Sequence, residues 1–187
     1  MVKRVFDIAV GAIALVILAL PMLAIAAAVK MSSRGPVLHW SRRIGRDNVA
    51  FQMPKFRTMR MDTPQVATHL MTDPDRWLTP IGRFLRRTSL DELPQLWSVF
   101  IGAMSIVGPR PALFNQDDLI ELRMKSGVHH LAPGLTGLAQ VRGRDELPIP
   151  VKVKFDAEYC KRRSLLLDLK IIGQTVLNAV KGDGISH

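Results

Sequence analysis

The stretch IAVGAIALVILALPMLAIAAAV, residues 8–29, carries no charged or hydrogen-bonding side chain over 22 positions. Wound as a helix at about 1.5 Å per residue, it is long enough to cross a hydrocarbon core of about 30 Å. Its flanks matter as much as its length. Lys3 and Arg4 precede it, Lys30 and Arg34 follow it, and residues 30–60 hold eight basic residues against one acid, Asp47. Basic residues favour the cytoplasmic side of a membrane, so both ends have a reason to stay on one face. Pro21 sits inside the run, where it removes one helical hydrogen bond and crowds the preceding turn. In lipid the released carbonyl needs another partner, so a break near Pro21 is expected. Three arrangements meet these constraints: a signal peptide ending at Ala24-Ile25-Ala26, a kinked spanning helix, or a re-entrant helix that returns to the face it entered. Asp7 lies close enough to pair with Lys3 or Arg4.

The remaining composition fits a basic domain attached to such a segment. A chain of 187 residues suits one compact domain. A formal charge of +10 together with a positive mean hydropathy, +0.13, is an uncommon pairing that the apolar front explains. The lone Cys160 excludes an intramolecular disulfide and suits a reducing compartment. The five histidines show no ligand spacing. The expected organisation is a membrane-inserted helix over 1–30, broken near Pro21, and a cytoplasmic membrane-associated domain over 31–187. The expected fold class is α+β and mostly helical, with a small β-hairpin and amphipathic helices at the membrane surface.

Residues 37–43 and 49–57 read as two strands joined by the turn formers Gly45-Arg46-Asp47-Asn48. Pro54 suggests that the second strand lies at an edge or bulge. Residues 62–77, with two prolines and no clear period, read as loop with at most a short helix. Thr79-Pro80 resembles a helix cap with proline at the first position, opening a helix to about Arg87. Further helices are expected over about 91–102, 115–127, 150–161 and 164–181, with residues 132–144 irregular and glycine-rich. In the last helix Leu165, Leu166, Leu169, Ile172, Val176, Leu177 and Val180 share one face. That face suits either a protein core or a membrane surface.

The chemistry concentrates at Arg86-Arg87-Thr88-Ser89-Leu90-Asp91-Glu92-Leu93-Pro94, where two adjacent carboxylates follow two guanidinium groups. Carboxylates suit Mg²⁺ and arginine forks suit phosphate, the two halves of phosphoryl transfer. Ser89 and Glu92 also fit a capping box, with acids at a helix start. Pro94 argues for a start nearer Asp91, which frees both carboxylates. Arg110 lies between two prolines that fix its backbone, which suits either an aimed cation or simply a rigid turn. Lys55 and Arg57, two apart on one strand, would face the same way as a phosphate cradle or as a solvated edge. Arg142 and Arg144 give a weaker signal of the same kind.

Taken together, Lys3-Arg4 with Asp7, KFRTM at 55–59, SLDELPQLW at 89–97, MSIVGPRP at 104–111, PGLTG at 133–137, AQVRGRDE at 139–146 and DLKI at 168–171 resemble the bacterial sugar transferases. The chain is most similar to their small monotopic phosphoglycosyl transferases. The resemblance runs from about Lys3 to Lys181 and disfavours a cleaved signal peptide, because the apolar segment belongs to the pattern. It implies transfer of a sugar-1-phosphate from a UDP-sugar to a polyprenyl (undecaprenyl) phosphate at the inner face of the bacterial cytoplasmic membrane. It also implies a re-entrant N-terminal helix, a Mg²⁺ requirement and Asp91 as a nucleophile forming an acyl-phosphate intermediate. Glu92 would bind metal or hold Asp91 in register, and Arg86, Arg110, Lys55 and Arg57 would bind substrate phosphates. The expected partners are the donor, the polyprenyl phosphate and membrane phospholipid, with a homodimer left open. Ala103, Leu138, Ser41 and Pro54 depart from the usual family residues but lie outside the Asp-Glu pair. A membrane-tethered nucleic-acid binder would explain the charge, yet aromatics are 6% of residues and no stacking platform is evident. A non-catalytic scaffold of a glycan-assembly complex is the other competitor.

Overall fold

A computed structural model describes residues 2–63, 73–143 and 147–181. The apolar segment lies within α1, Val2–Ser32, about 46 Å long. The helix is continuous through Pro21, so the proline does not end it; a bend in its axis is compatible with continuous helix. One stripe of α1 faces the rest of the protein along its whole length. Val10, Ala14, Leu15 and Leu18 pack on one core cluster and Met22, Ile25, Ala26 and Val29 on a second. The opposite stripe, including Ile13, Val16, Ile17, Leu20 and Leu23, is exposed.

The hairpin follows, β1 at Leu38–Ile44 and β2 at Ala50–Phe56, in antiparallel register from Leu38↔Phe56 to Ile44↔Ala50. β4, Ala112–Leu113, joins the other side of β1, so β2 is an edge strand and its Pro54 costs no inner ladder bond. Asp47 and Asn48 turn the hairpin with positive φ of 53° and 61°, values that these residues tolerate better than most. A second, parallel pair joins β3, Ser105–Val107, to β5, Gly134–Thr136. Around these strands stand α2 (Gly82–Thr88), α3 (Gln95–Ile101), α4 (Asp117–Lys125), α5 (Leu138–Gly143), α6 (Ile149–Arg162) and α7 (Leu165–Lys181).

Several sequence expectations change. The stretch 132–144 is not irregular; it holds β5 and all of α5. Its glycines serve close approach: a Cβ on Gly134 would lie 2.1 Å from the Gly108 nitrogen, and one on Gly137 2.1 Å from the Gly108 oxygen. Thr79 does not cap α2 with its side chain; its hydroxyl bonds the Thr58 carbonyl, and α2 begins three residues later. Ser89 makes no side-chain cap either: it ends α2 and precedes the next turn in the left-handed region at φ 56°. The expected helix from 91 is a short 3-10 turn, Leu90–Glu92, followed by α3. Most of the expected loop over 62–77 lies outside the described residues, as do Arg144 and the end of the AQVRGRDE motif; residues 74–77 form a 3-10 turn.

Polar residues at the front of α1 clamp it to the body. Asp7 accepts hydrogen bonds from the Ser105 hydroxyl (2.9 Å) and the Ile106 N–H (3.0 Å). Lys3 therefore reaches past it, 3.9 Å from Asp7 but 2.8 Å from Asp168 at the start of α7. The Tyr159 hydroxyl donates to the same Asp168 at 2.7 Å; burial, then that bond, pushes its phenol well above the ordinary value. Arg4 donates to the carbonyls of Val99 and Phe100 (2.6 and 2.7 Å), satisfying the open end of α3. The buried stripe of α7 carries Asp168 and Ile171, each 1% exposed, with Ile172 packing partly buried on the core. Leu166, Leu169, Val176 and Leu177 point away from the core at 54–65% exposure, so most of the apolar face is left outside core packing.

Candidate functional site

The tight succession of α2, the left-handed Ser89 and the 3-10 turn presents Asp91 and Glu92 between the hairpin and the turn after β3. Lys55 of β2 donates to Glu92 Oε1 at 2.7 Å, and Arg110 donates to the same oxygen at 3.0 Å. Burial opposes the Glu92 charge, but Arg110 and Lys55, acting by charge and by hydrogen bond, hold its carboxyl well below the usual range. Glu92 is therefore a fixed carboxylate shared by two cations.

Asp91 differs. It is 7% exposed, and among the described residues no group donates a hydrogen bond to its carboxylate. Burial raises its pKa to about 6, with Glu92 adding to the rise and Lys55, Arg86 and Arg110 opposing it. Arg86 places Nε 3.0 Å from the Thr58 hydroxyl, while its two terminal nitrogens have no hydrogen-bond partner among the described residues. Among the described residues, Lys55, Arg86 and Arg110 act on Asp91 against the neighbouring Glu92 carboxylate. The three cations partly offset the burial that disfavours the ionised form of Asp91, and the arginines offer donors to an arriving phosphate.

Five of the six residues singled out in the sequence thus come together: Lys55, Arg86, Asp91, Glu92 and Arg110. Arg57 does not join them. Its guanidinium turns to the end of α1, donating to the Arg34 carbonyl (2.7 Å) and to the Ser33 carbonyl and hydroxyl (2.9 and 2.7 Å). It lies beyond the last residue of β2, so the two-residue spacing from Lys55 does not translate into a shared direction.

Sequence reading passed over Thr58, which fixes Arg86, and His39, which pairs across the hairpin with Lys55. Partial burial, then the charges of Lys55, Arg43 and Arg86, holds the His39 imidazole below its ordinary value. The strand register alone could have identified His39; the bond from Arg86 to Thr58 spans 28 residues and left no local signal.

As for a cation, no group of three or more His, Cys, Asp or Glu side chains occurs among the described residues. Mg²⁺ does not require one, since it is commonly held by one or two carboxylates, waters and substrate phosphates. Asp91, without a hydrogen-bond donor, and Glu92 Oε2, left open by the two cations on Oε1, fit that donor set.

Comparison with known proteins identifies the family. The bacterial sugar transferase family profile matches residues 1–182. A UDP-glucose:undecaprenyl-phosphate glucose-1-phosphate transferase of Xanthomonas campestris pv. campestris is 45% identical over 86% of this chain and 34% of its own length. The protein of the same name from Escherichia coli K12 is 41% identical over 94% of this chain and 39% of its own. The exopolysaccharide production protein ExoY of Rhizobium meliloti is 37% identical over 94% of this chain and 84% of its own. The chain thus spans about two fifths or less of several longer relatives and most of the shorter one. With the profile covering nearly every residue, this protein belongs to the bacterial sugar transferase family.

Proposed function

We propose that the protein transfers a sugar-1-phosphate from a UDP-sugar to a polyprenyl phosphate in two steps through Asp91. The observation that carries the reading is the buried, unbonded Asp91 carboxylate among Lys55, Arg86 and Arg110. The printed names of the Xanthomonas and Escherichia relatives supply the substrate class.

In the first step an Asp91 carboxylate oxygen attacks the sugar-bearing phosphorus of the donor. The bond from that phosphorus to the bridging oxygen breaks, and UMP leaves with the electron pair. In the second, an oxygen of the polyprenyl phosphate attacks the same phosphorus, the Asp91 O–P bond breaks and the carboxylate returns. Dividing one displacement into two lets a soluble donor and a lipid acceptor use the site in turn. Arg86 and Arg110 would bind the phosphates, and Lys55 would keep Glu92 in place. Asp91 and Glu92 would hold Mg²⁺, which when bound supplies charge neutralisation at the phosphates.

The membrane arrangement follows the same logic. The inner stripe of α1 is docked from Lys3 to Val29 on one body, which supports a helix whose two ends lie on the same, cytoplasmic, side of the inner membrane. Its exposed stripe and the outward leucines of α7 would then meet lipid, bringing the cup within reach of a lipid phosphate. Residues 1–30 would be the membrane part and 31–187 the catalytic part.

The test is mass spectrometry of protein incubated with a panel of UDP-sugars and no acceptor. A phosphosugar adduct on Asp91, lost in Asp91→Asn, is expected, with UMP release that stops in EDTA and returns with Mg²⁺. Product formation by Asp91→Asn would refute the two-step route.

A further inference from the structure

The turn that carries Arg110 is fastened at three successive carbonyls by three separate elements. The Pro109 oxygen accepts the Gly134 N–H of β5 at 2.8 Å. The Arg110 oxygen accepts Nη1 of Arg123, from α4, at 2.8 Å. The Pro111 oxygen accepts Nη1 of Arg43, from β1, at 3.3 Å. Prolines at 109 and 111 have no N–H, so the turn can restrain itself little through its own amides.

Arg123 is itself held in place. Its Nε and Nη2 donate to Asp156 Oδ2 of α6 at 3.0 and 2.6 Å, and both residues are buried, at 9% and 2% exposure. A buried ion pair is a costly way to pack two helices, because an apolar pair of similar volume does as well or better. What an apolar pair cannot do is supply a third N–H to the Arg110 carbonyl. That extra donor is the feature of α4 and α6 that simple packing leaves unexplained.

We infer that Arg123, oriented by Asp156, and Arg43 are positioning residues that aim the Arg110 guanidinium at Glu92 and at the phosphate of the donor. The inference rests on the transferase reading, in which Arg110 is a phosphate ligand, and adds to that site a supporting layer drawn from α4, α6 and β1. A displacement of about 1 Å in such a group can cost about 100-fold in rate. A backbone pinned on three sides is the physical means of preventing it.

The test uses Arg43→Met, Arg123→Lys and Arg110→Met in the full chain, with the two doubles that combine each positioning change with Arg110→Met. Hydrogen exchange of the 106–114 segment, followed without donor, should quicken about tenfold in Arg43→Met and Arg123→Lys, while the α1 amides keep their protection. In UMP release each single variant should raise the donor KM and lower kcat/KM by about tenfold or more. The same changes should cost less than about twofold once Arg110 is already Met, because they act through it.

Unchanged exchange at 106–114, or losses that simply multiply in the doubles, would overturn the inference. If Arg123→Lys fails to fold, Arg43→Met, at the half-buried rim, decides alone. Absence of UMP release from every donor by the unmodified protein would sink the transferase reading, and with it the donor-binding half of the inference. The exchange result would still decide whether the turn is held as described.

Discussion

Replacing Asp91 by Asn should make the protein more stable, by an amount that depends on pH. Burial raises the Asp91 carboxyl from 3.8 to about 6 even with three cations opposing it. A raised folded-state value means that ionising Asp91 costs more in the folded than in the unfolded protein. The stability associated with the protonated group is fully present below about pH 3.8 and lost as pH rises through about 6. At pH 8 the loss amounts to about 3 kcal/mol. It is about half that at pH 5 and under about 1 kcal/mol at pH 4. Asparagine keeps the shape of the neutral carboxyl and removes the charge, so it should recover most of this. For a chain of this size 1 kcal/mol corresponds to about 2–4 °C in Tm. Thermal unfolding in detergent with EDTA, at pH 8 and pH 4.5, should therefore show an Asp91→Asn gain of several degrees at the higher pH and much less at the lower. Equal or lower stability at pH 8, or the same gain at both pH values, would refute the claim that Asp91 is a destabilised, desolvated carboxylate. Joined to loss of turnover, the expected result would mean that reactivity at this position is held against the interest of the fold.

Other expectations are simpler. Tyr159→Phe removes a 2.7 Å bond to buried Asp168 and should cost about 1–2 kcal/mol in chemical denaturation, leaving UMP release unaffected at temperatures where the protein is folded. Gly134→Ala would drive a Cβ into backbone at 2.1 Å and should destabilise by about 3 kcal/mol, measured as a fall in Tm; a tolerated alanine would contradict the close β3–β5 packing. In sealed vesicles a cysteine introduced by Val2→Cys and the native Cys160 should react with an impermeant maleimide from the same side. Labelling from opposite sides would replace the docked α1 with a spanning helix.

Local chemistry made much of this fold readable. The hairpin was visible because the turn formers Gly45-Arg46-Asp47-Asn48 separate two strand-like runs, and the observed strand bounds differ by only about a residue. Pro54 indicated an edge for a covalent reason, the missing N–H, and β2 is an edge. The cap readings failed where one residue type serves two local geometries. Ser89 fits an N-cap by composition, but the same small polar residue ends α2 in the left-handed region. The glycines at 134 and 137 suggested an irregular stretch, whereas they permit contact with Gly108, about 30 residues away in sequence.

The site shows the same division. Adjacent carboxylates, the preceding arginines and the proline-bracketed Arg110 are all short-range features, so residue order was enough to nominate Arg86, Asp91, Glu92 and Arg110 together with Lys55. Residue order could not assign Arg57 to the end of α1, because the turn back to Ser33 lies beyond the strand whose alternation was being counted. Nor could it show that most of the apolar face of α7, Leu166, Leu169, Val176 and Leu177, is exposed. Periodicity identifies two faces, but which is buried depends on the partner, and here Lys3 and Tyr159 draw Asp168 inward. Chain chemistry within a few residues thus indicated most of the elements and nominated the Asp91-Glu92 pair. Tertiary contacts, up to 165 residues apart in sequence, settled direction: which side of α1 docks, which residues of α7 are left open, and which cations surround Asp91. Propensity and charge act over a turn or two of chain, whereas burial and pairing exist only after distant segments have met.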